Sequence, residues 1–252
     1  MLRTTQLIEW GAAKINSARM MRARGHVLPA LETELIDSDA SPTQVIAEYA
    51  ARALELGCSL CEAMSGTYDV VKDSNHVWEQ GRAPDVTSIV FLDDNWDETK
   101  RRSKAASTDQ LKQALDAARR APRPHDQILN VIIIAPTALT SDARREITNI
   151  GAVLEGGSAM RTLGGDAARV RVMLARDLSI PICSHVGVPT HNRLSQTDAL
   201  RLVAECRVHP LQLSILPTSD SVAIHYDYRE SDIVKITREA SVEFRVVARD
   251  LS

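Results

Sequence analysis

At 252 residues, with 44% hydrophobic and 25% charged residues and a formal net charge of −3, the chain has the composition of an ordinary globular protein, long enough for one large domain or two smaller ones. The slight acidic excess argues against free nucleic-acid binding, because a protein that holds phosphates unaided is usually basic overall; two Phe and three Trp also argue against a base-stacking platform. The amino terminus lacks a signal-type apolar segment and the longest apolar run, around "VIIIA", is too short to span a bilayer, so an intracellular chain without a membrane partner is expected, its four cysteines kept as thiols.

Leu7, Trp10, Ala13, Ile15, Ala18 and Met21 keep near-helical spacing, and Gly25 stops that helix. A second helix is expected from "SPTQ": Ser41 can cap it, Pro42 stands where a missing N–H is harmless, and apolar residues recur through Leu60. Cys58 and Cys61 fall inside this helix as C-S-L-C. That spacing suits a redox pair or half a zinc site, but two helical thiols serve equally as small packing groups, and a four-ligand site would have to recruit Cys183, His185 or His191 from far along the chain.

"TSIVFL" (87–92) reads as a strand, the charged "DDNWDETKRRSK" after it as a loop, and 108–121 as an amphipathic helix. "ILNVIIIAP" (128–136) is short and branched enough to be a buried strand, and "TALTSDARREI" turns into a helix capped by Thr140 or Ser141. The strand–helix–strand–helix order predicts an open sheet with flanking helices. "LEGGSAMRTLGGDAA" (154–168) carries two Gly pairs without the spacing of a phosphate or dinucleotide loop and reads as a loop, after which "RVRVML" (169–174) resumes strand alternation.

The last third changes texture. "SQTDALRLVAEC" (195–206) forms a compact helix capped by Ser195, and "DIVKITR" and "EFRVVAR" can pair as an antiparallel hairpin across "EAS". Before them, "CSHVGVPTHN" sets Cys183, His185 and His191 around Pro189, a set that could serve a metal-dependent α/β hydrolase. Against that stands the backbone: Pro189 fixes its own φ and biases Val188 towards extended geometry, making a corner whose main-chain groups the two histidines can bond. A closed zinc site would also need a fourth ligand. Ser195 and Asp198 stand at helix-cap spacing and provide no nucleophile with a base, and no cofactor is expected.

These C-terminal residues carry a family likeness. His185, Val188, Pro189 and His191, then Gln212 and Leu213, then Asp220, Val222 and Ala223, and finally Val234, Lys235, Ile236, Arg238 and Arg245 follow one order. In that order they resemble the assembly domain of the fifth subunit shared by eukaryotic nuclear RNA polymerases, a family with an archaeal branch. "EWGAAKINSARMMRARGHVL" and "NVIIIAPTALTSDA" are similar, less specifically, to that family's eukaryotic jaw domain.

The resemblance implies an α/β chain: an N-terminal jaw domain over 1–175, with an open sheet and flanking helices, and a small C-terminal α+β assembly domain over 176–252. It implies a non-catalytic subunit of a DNA-dependent RNA polymerase in the nucleus, whose active site lies in other subunits. Its partners would be the largest subunit, reached through the C-terminal residues just named other than Gln212 and Leu213, other polymerase subunits, and downstream duplex DNA near Thr140, Ser141, Asp142, Ala143, Arg144 and Arg145. The segment from Asp220 to Arg238, apolar positions alternating with charge in a domain with little core of its own, is the expected docking face. The chain departs from the family where Ser214 and Ile215 replace Pro-Arg, Ser221 replaces a proline, and Asp227 and Ser231 replace glycines. Such changes imply a specialised copy, of the kind some protist lineages dedicate to RNA polymerase I in the nucleolus.

Overall fold

A computed structural model describes residues 4–68, 86–93, 96–97, 102–103, 105–120, 129–146 and 168–249. The described residues fall into two compact units, one ending at Ile180 and the other starting at Pro181.

The first unit opens with α1 (Thr4–Ala23), buried along most of its length, polar Lys14, Asn16 and Ser17 included. It closes at Gly25 as expected, with the His26 N–H donating to the Met21 carbonyl at 3.0 Å. α2 (Ala30–Asp37) follows, then α3 (Pro42–Leu56), which begins with a reciprocal cap between Ser41 and Gln44. The helix expected to run to Leu60 is in fact two. Gly57, at φ 65°, turns left-handed and ends α3, and Ser59 with Glu62 caps a new short helix, α4 (Leu60–Met64). Cys58 therefore lies between helices, while buried Cys61 donates its thiol to the Leu92 carbonyl at 3.5 Å.

β1 (Gly66–Tyr68) and β2 (Val86–Phe91) pair antiparallel. A two-stranded piece, β3 (Trp96–Asp97) with β4 (Arg102–Ser103), stands where the sequence suggested a loop. After α5 (Thr108–Arg120) comes β5 (Leu129–Ala135), parallel to β2; a helix over 141–146, α6, follows, and β6 (Ala168–Leu174) is parallel to β5. The sheet order is β1-β2-β5-β6.

Alternation along β5 explains the layers. Val131, Ile133 and Ala135 join Leu111, Ala114, Leu115 and Ala118 of α5 in one core. Ile132 and Ile134 join Trp10, Met20, Met21 and Tyr49 in the other. Burial of each of these isoleucines contributes roughly 1.5–3 kcal/mol relative to exposure, so this strand stabilises both cores at once. Gly11 lets α1 lie against the start of α3: a Cβ there would meet the Pro42 carbonyl oxygen at 2.1 Å. The unit ends with α7 (Ala175–Leu178), whose Leu178 carbonyl accepts from Asn16 Nδ2 at 2.7 Å. Because Ala175 and Leu178 are buried in this core, the boundary expected after residue 175 falls inside the first unit.

The second unit is a small α+β fold. It runs through a 3₁₀ turn (Ile182–Ser184), β7 (Thr190–Arg193), α8 (Gln196–Cys206), a second 3₁₀ turn (Pro210–Gln212), β8 (Ser214–Pro217), α9 (Ser221–Tyr226), β9 (Ile233–Thr237) and β10 (Val242–Ala248). The strand order is β7-β9-β10-β8, with β9 and β10 forming the expected antiparallel hairpin and β8 running parallel to β10. Leu216, Ala223, Tyr228, Val234, Ile236 and Val247 form its core on one sheet face. Among the described residues of the chain, no helix is long and apolar enough to cross a membrane.

Candidate partner-binding site

The corner from Cys183 to His191 is built by main-chain bonding. The His185 N–H closes the 3₁₀ turn on the Ile182 carbonyl, and its own carbonyl receives the Val188 N–H at 2.9 Å. Its ring Nδ1 accepts the Gly187 N–H at 3.1 Å. His191 Nδ1 lies 2.7 Å from the Pro189 carbonyl; a carbonyl can only accept, so Nδ1 carries the proton. Val188 and Pro189 are half-buried between them. Burial first, and the Asp220 carboxylate second, push the Cys183 thiol up to about 11, so it stays protonated at neutral pH and is a poor metal ligand or nucleophile. No group of three or more His, Cys, Asp or Glu among the described residues could hold a metal ion, which leaves the hydrolase reading without a site there.

The segment from Asp220 onwards faces inward more than the sequence suggested. Asp220 Oδ1 caps α9, accepting from the Val222 and Ala223 N–H groups at 2.8 and 3.4 Å. Val222, Ala223, Val234 and Ile236 are all buried within the unit itself. Their alternation with polar residues serves the unit's own core, and these four side chains present no docking surface. Arg245 forms a fork with Glu243, at 2.9 and 3.2 Å, and this hydrogen bonding holds the Glu243 carboxyl below its usual range. Arg238 is exposed, its N–H closing the hairpin on the Ser241 carbonyl at 2.9 Å. Lys235 is half-buried, in register with Asn192 of β7 and Phe244 of β10.

Apolar surface is left elsewhere in this unit. The register sets Ile215, Val246 and Ile233 in one row across three strands, on the face opposite Val234 and Val247; Val246 and Ile233 are buried there, while Ile215 on the edge strand and Val242 further along β10 are exposed. Ile215 is 41% exposed and Val242 50%. Leu211 is exposed beside β8, Val186 is fully exposed, and α8 buries none of its residues, leaving Leu200 in solvent. These exposed apolar residues are candidates for contact with a partner. Sequence reasoning missed them because a strand with apolar residues on both faces does not declare which face the domain keeps for itself.

In the first unit, Thr140 caps α6: its hydroxyl accepts the Ala143 N–H at 3.2 Å, and its own N–H reaches the Ala106 carbonyl at 3.1 Å. Ala143 is buried; Ser141, Asp142, Arg144 and Arg145 are exposed, and Arg145 pairs with Asp142 at 3.0 Å. The Gly-rich stretch 154–168 lies, apart from Ala168, outside the described residues.

Residues 180–248 match the family described as RNA polymerase Rpb5, C-terminal domain, a span that covers the second unit and stops at the edge of the first. Over 73 residues the chain is 38% identical to the DNA-directed RNA polymerase subunit Rpo5 of Sulfolobus acidocaldarius, covering 87% of that protein and 27% of this chain. It is 39% identical over 59 residues to Rpo5 of Methanothermobacter thermautotrophicus, covering 77% of that protein and 23% of this chain. With Rpo5 of Sulfurisphaera tokodaii it shares 34% over 70 residues, 83% of that protein and 28% of this chain. The class so defined is that of structural subunits of DNA-directed RNA polymerase, in which catalysis is left to other chains. Within it, the chain belongs to the Rpb5/Rpo5 family.

Two residues of the second unit have left-handed backbone. Asp227 and Ser231, which the resemblance sets at glycine positions, adopt φ of 54° and 72°. Both are left-handed positions that glycine occupies without steric penalty.

Proposed function

We propose that the chain is a non-catalytic subunit of a nuclear DNA-directed RNA polymerase, its second unit docking on the largest subunit and its first unit forming part of the jaw beside downstream duplex DNA. The observation that carries this reading is the match of residues 180–248 to the Rpb5 C-terminal domain, with one archaeal Rpo5 covered over 87% of its length. Docking is supported by the apolar residues that the second unit leaves exposed, Ile215, Val242 and Leu211 foremost. The jaw role has the support of sequence likeness and of the exposed arginines Arg144 and Arg145 after β5. Ser221, Asp227 and Ser231, which replace the residues best suited to their backbone positions, support a specialised copy serving RNA polymerase I in the nucleolus.

The test is to tag the chain in its native cell, purify it under mild conditions and identify what accompanies it. Near-stoichiometric recovery of a polymerase largest subunit is expected, together with subunits particular to RNA polymerase I. Recovery without any polymerase subunit would overturn the reading, and recovery with all nuclear polymerases would remove its last clause alone.

A further inference from the structure

The turn after β5 is held by backbone from another part of the first unit. Ala106 donates its N–H to the Ala138 carbonyl at 3.2 Å and accepts the Thr140 N–H at 3.1 Å, and so pairs with Leu139 in a short parallel bridge beyond the end of β5. Ala106 is buried, and Leu139 packs against the same core. The residue whose hydroxyl caps α6, Thr140, is thereby fixed through its own N–H.

Ala106 is in turn fixed by the start of α5. The Ser107 N–H donates to Gln110 Oε1 at 3.1 Å, and the Gln110 N–H returns to the Ser107 hydroxyl at 3.4 Å, a reciprocal cap. The other end of that side-chain amide, Gln110 Nε2, donates to the Asp93 carbonyl at 3.2 Å, just past β2. α5 itself is anchored in the core by Leu111, Ala114 and Leu115. One glutamine thus ties the neighbour of Ala106 to α5 and to the exit of β2, while among the described residues its hydrogen bonds go to Ser107 and Asp93 and none to the turn.

We propose that Gln110 is a positioning residue for this turn: through the Ser107 cap it holds Ala106 as a clip across residues 138–140, and so sets where α6 begins and where the exposed Arg144 and Arg145 stand. The consequence for DNA rests on the jaw role proposed above; the clip itself does not. A residue that makes a phosphate contact and a residue that positions it differ in their response to salt. Removing a contact lowers the slope of log affinity against log salt, because fewer counterions are released. Loosening the element that carries the contact adds an ordering cost to binding, which weakens affinity by a similar factor at every salt concentration and leaves the slope alone.

The test has two arms. In hydrogen exchange on the full chain, Gln110→Ala should speed the amides of residues 138–143 by about fivefold, the scale of a lost helix cap, and leave those of β5 unchanged. Gln110→Glu keeps the acceptor for the Ser107 N–H and should stay within about twofold of the unaltered protein. In the assembled polymerase, Gln110→Ala should lower elongation-complex stability about fivefold at each salt concentration with the slope unchanged, whereas Arg144→Ala with Arg145→Ala lowers the slope. Turn exchange that Gln110→Ala leaves unchanged, or that Gln110→Glu accelerates as much, overturns the clip. A loosened turn with undiminished elongation-complex stability overturns the positioning of the arginines if the double-arginine variant still lowers the slope. If that variant also leaves the slope unchanged, the failure lies in the contact between these arginines and DNA.

Discussion

Gly11 and Pro42 approach so closely that a methyl group on residue 11 would stand 2.1 Å from the Pro42 carbonyl oxygen and 2.8 Å from its carbon. The obstacle is backbone at the first turn of α3, so it cannot swing aside as a side-chain tip would. Gly11→Ala gains helix propensity of up to about 1 kcal/mol within α1. Overpacking against rigid backbone costs typically about 1–3 kcal/mol, occasionally more, and should outweigh that gain. The variant is expected to be less stable in urea unfolding of the first unit; equal or greater stability would show that α1 and α3 can part at no penalty.

The two left-handed residues of the second unit should respond differently to glycine. Ser231, at φ 72°, is exposed, and only its N–H, donating to the Val247 carbonyl at 2.9 Å, has a structural partner given by the fold. Ser231→Gly relieves a left-handed penalty of roughly 1–2 kcal/mol and loses part of it to the greater freedom of the unfolded chain, for a net gain of about 0.5–1 kcal/mol. Asp227→Gly also removes the carboxylate that lies 3.7 Å from Arg229, so its gain should be smaller. Midpoints of chemical unfolding, followed by exchange of β9 and β10 amides, would order the two.

A charge at Ile236 and a charge at Ile215 should produce opposite phenotypes. Ile236 is 1% exposed in the core of the second unit, where an unpaired carboxylate costs more than about 4 kcal/mol. Ile236→Asp is therefore expected to unfold that unit, leaving the first one protected in limited proteolysis. Ile215→Asp, on the opposite face and 41% exposed, should leave both units folded and reduce recovery of the polymerase partner. Undiminished recovery with folded Ile215→Asp would remove this face from the docking surface.

How much of this was legible depended on how local each signal was. The ends of α1 and α8 were readable because Gly25 and Ser195 act within a turn of themselves. The split at Gly57 was not, since an isolated glycine inside a periodic run is tolerated, and only its φ of 65° shows that it ends the helix. The open sheet with flanking helices followed from the strand–helix–strand–helix order around "ILNVIIIAP". The burial of Val234 and Ile236 did not follow from alternation in "IVKIT", because a strand facing its own core and a strand facing a partner carry the same pattern. What separates them is long-range packing, here of Val234 and Ile236 against Leu216, Tyr228 and Val247.

Alkaline pH should destabilise the first unit through the node around Glu32. Burial, reinforced by the Glu32 carboxylate, holds the Tyr49 and Tyr68 phenols well above their ordinary value of 10.0. The unfolded chain releases these protons near pH 10 and the folded one keeps them. Their contribution is thus complete below pH 10 and falls as pH rises beyond it, at up to about 1.4 kcal/mol per pH unit for each tyrosine. Lys14 acts in the other direction: burial lowers its affinity for a proton, so folding gains as pH rises towards 10.5 and gains nothing further above it. Above 10.5 the tyrosines are unopposed. Unfolding free energies at pH 9, 10.5 and 12 should show a loss concentrated in the last interval, and a Tyr49→Phe/Tyr68→Phe variant should flatten it. A slope unchanged in that variant would assign the alkaline loss to other groups.

If the turn after β5 approaches downstream DNA, its attraction must come from backbone N–H groups, the Thr140 or Ser141 hydroxyl, or Arg144 and Arg145, because Asp142 opposes phosphate by charge; the arginines are the part that substitution can test. The Asp142–Arg145 pair does not forbid this. At 3.0 Å, with both side chains more than 70% exposed, it is a surface pair of about 0–1 kcal/mol, weak enough for Arg145 to exchange carboxylate for phosphate. Each phosphate neutralised contributes about 0.9 to the dependence of log affinity on log salt, whatever the base sequence. Arg144→Ala with Arg145→Ala, built into the assembled polymerase, should therefore lower the salt slope of elongation-complex stability by up to about 2 units and act equally on unrelated templates. Asp142→Asn should do the reverse in magnitude of binding, strengthening it at low salt by removing a repelled charge. The isolated chain, with its net charge of −3, should bind duplex weakly in every variant, so the measurement belongs in the complex. An unchanged slope in the double-arginine variant would take these two arginines out of the DNA path and leave the jaw role resting on sequence likeness alone.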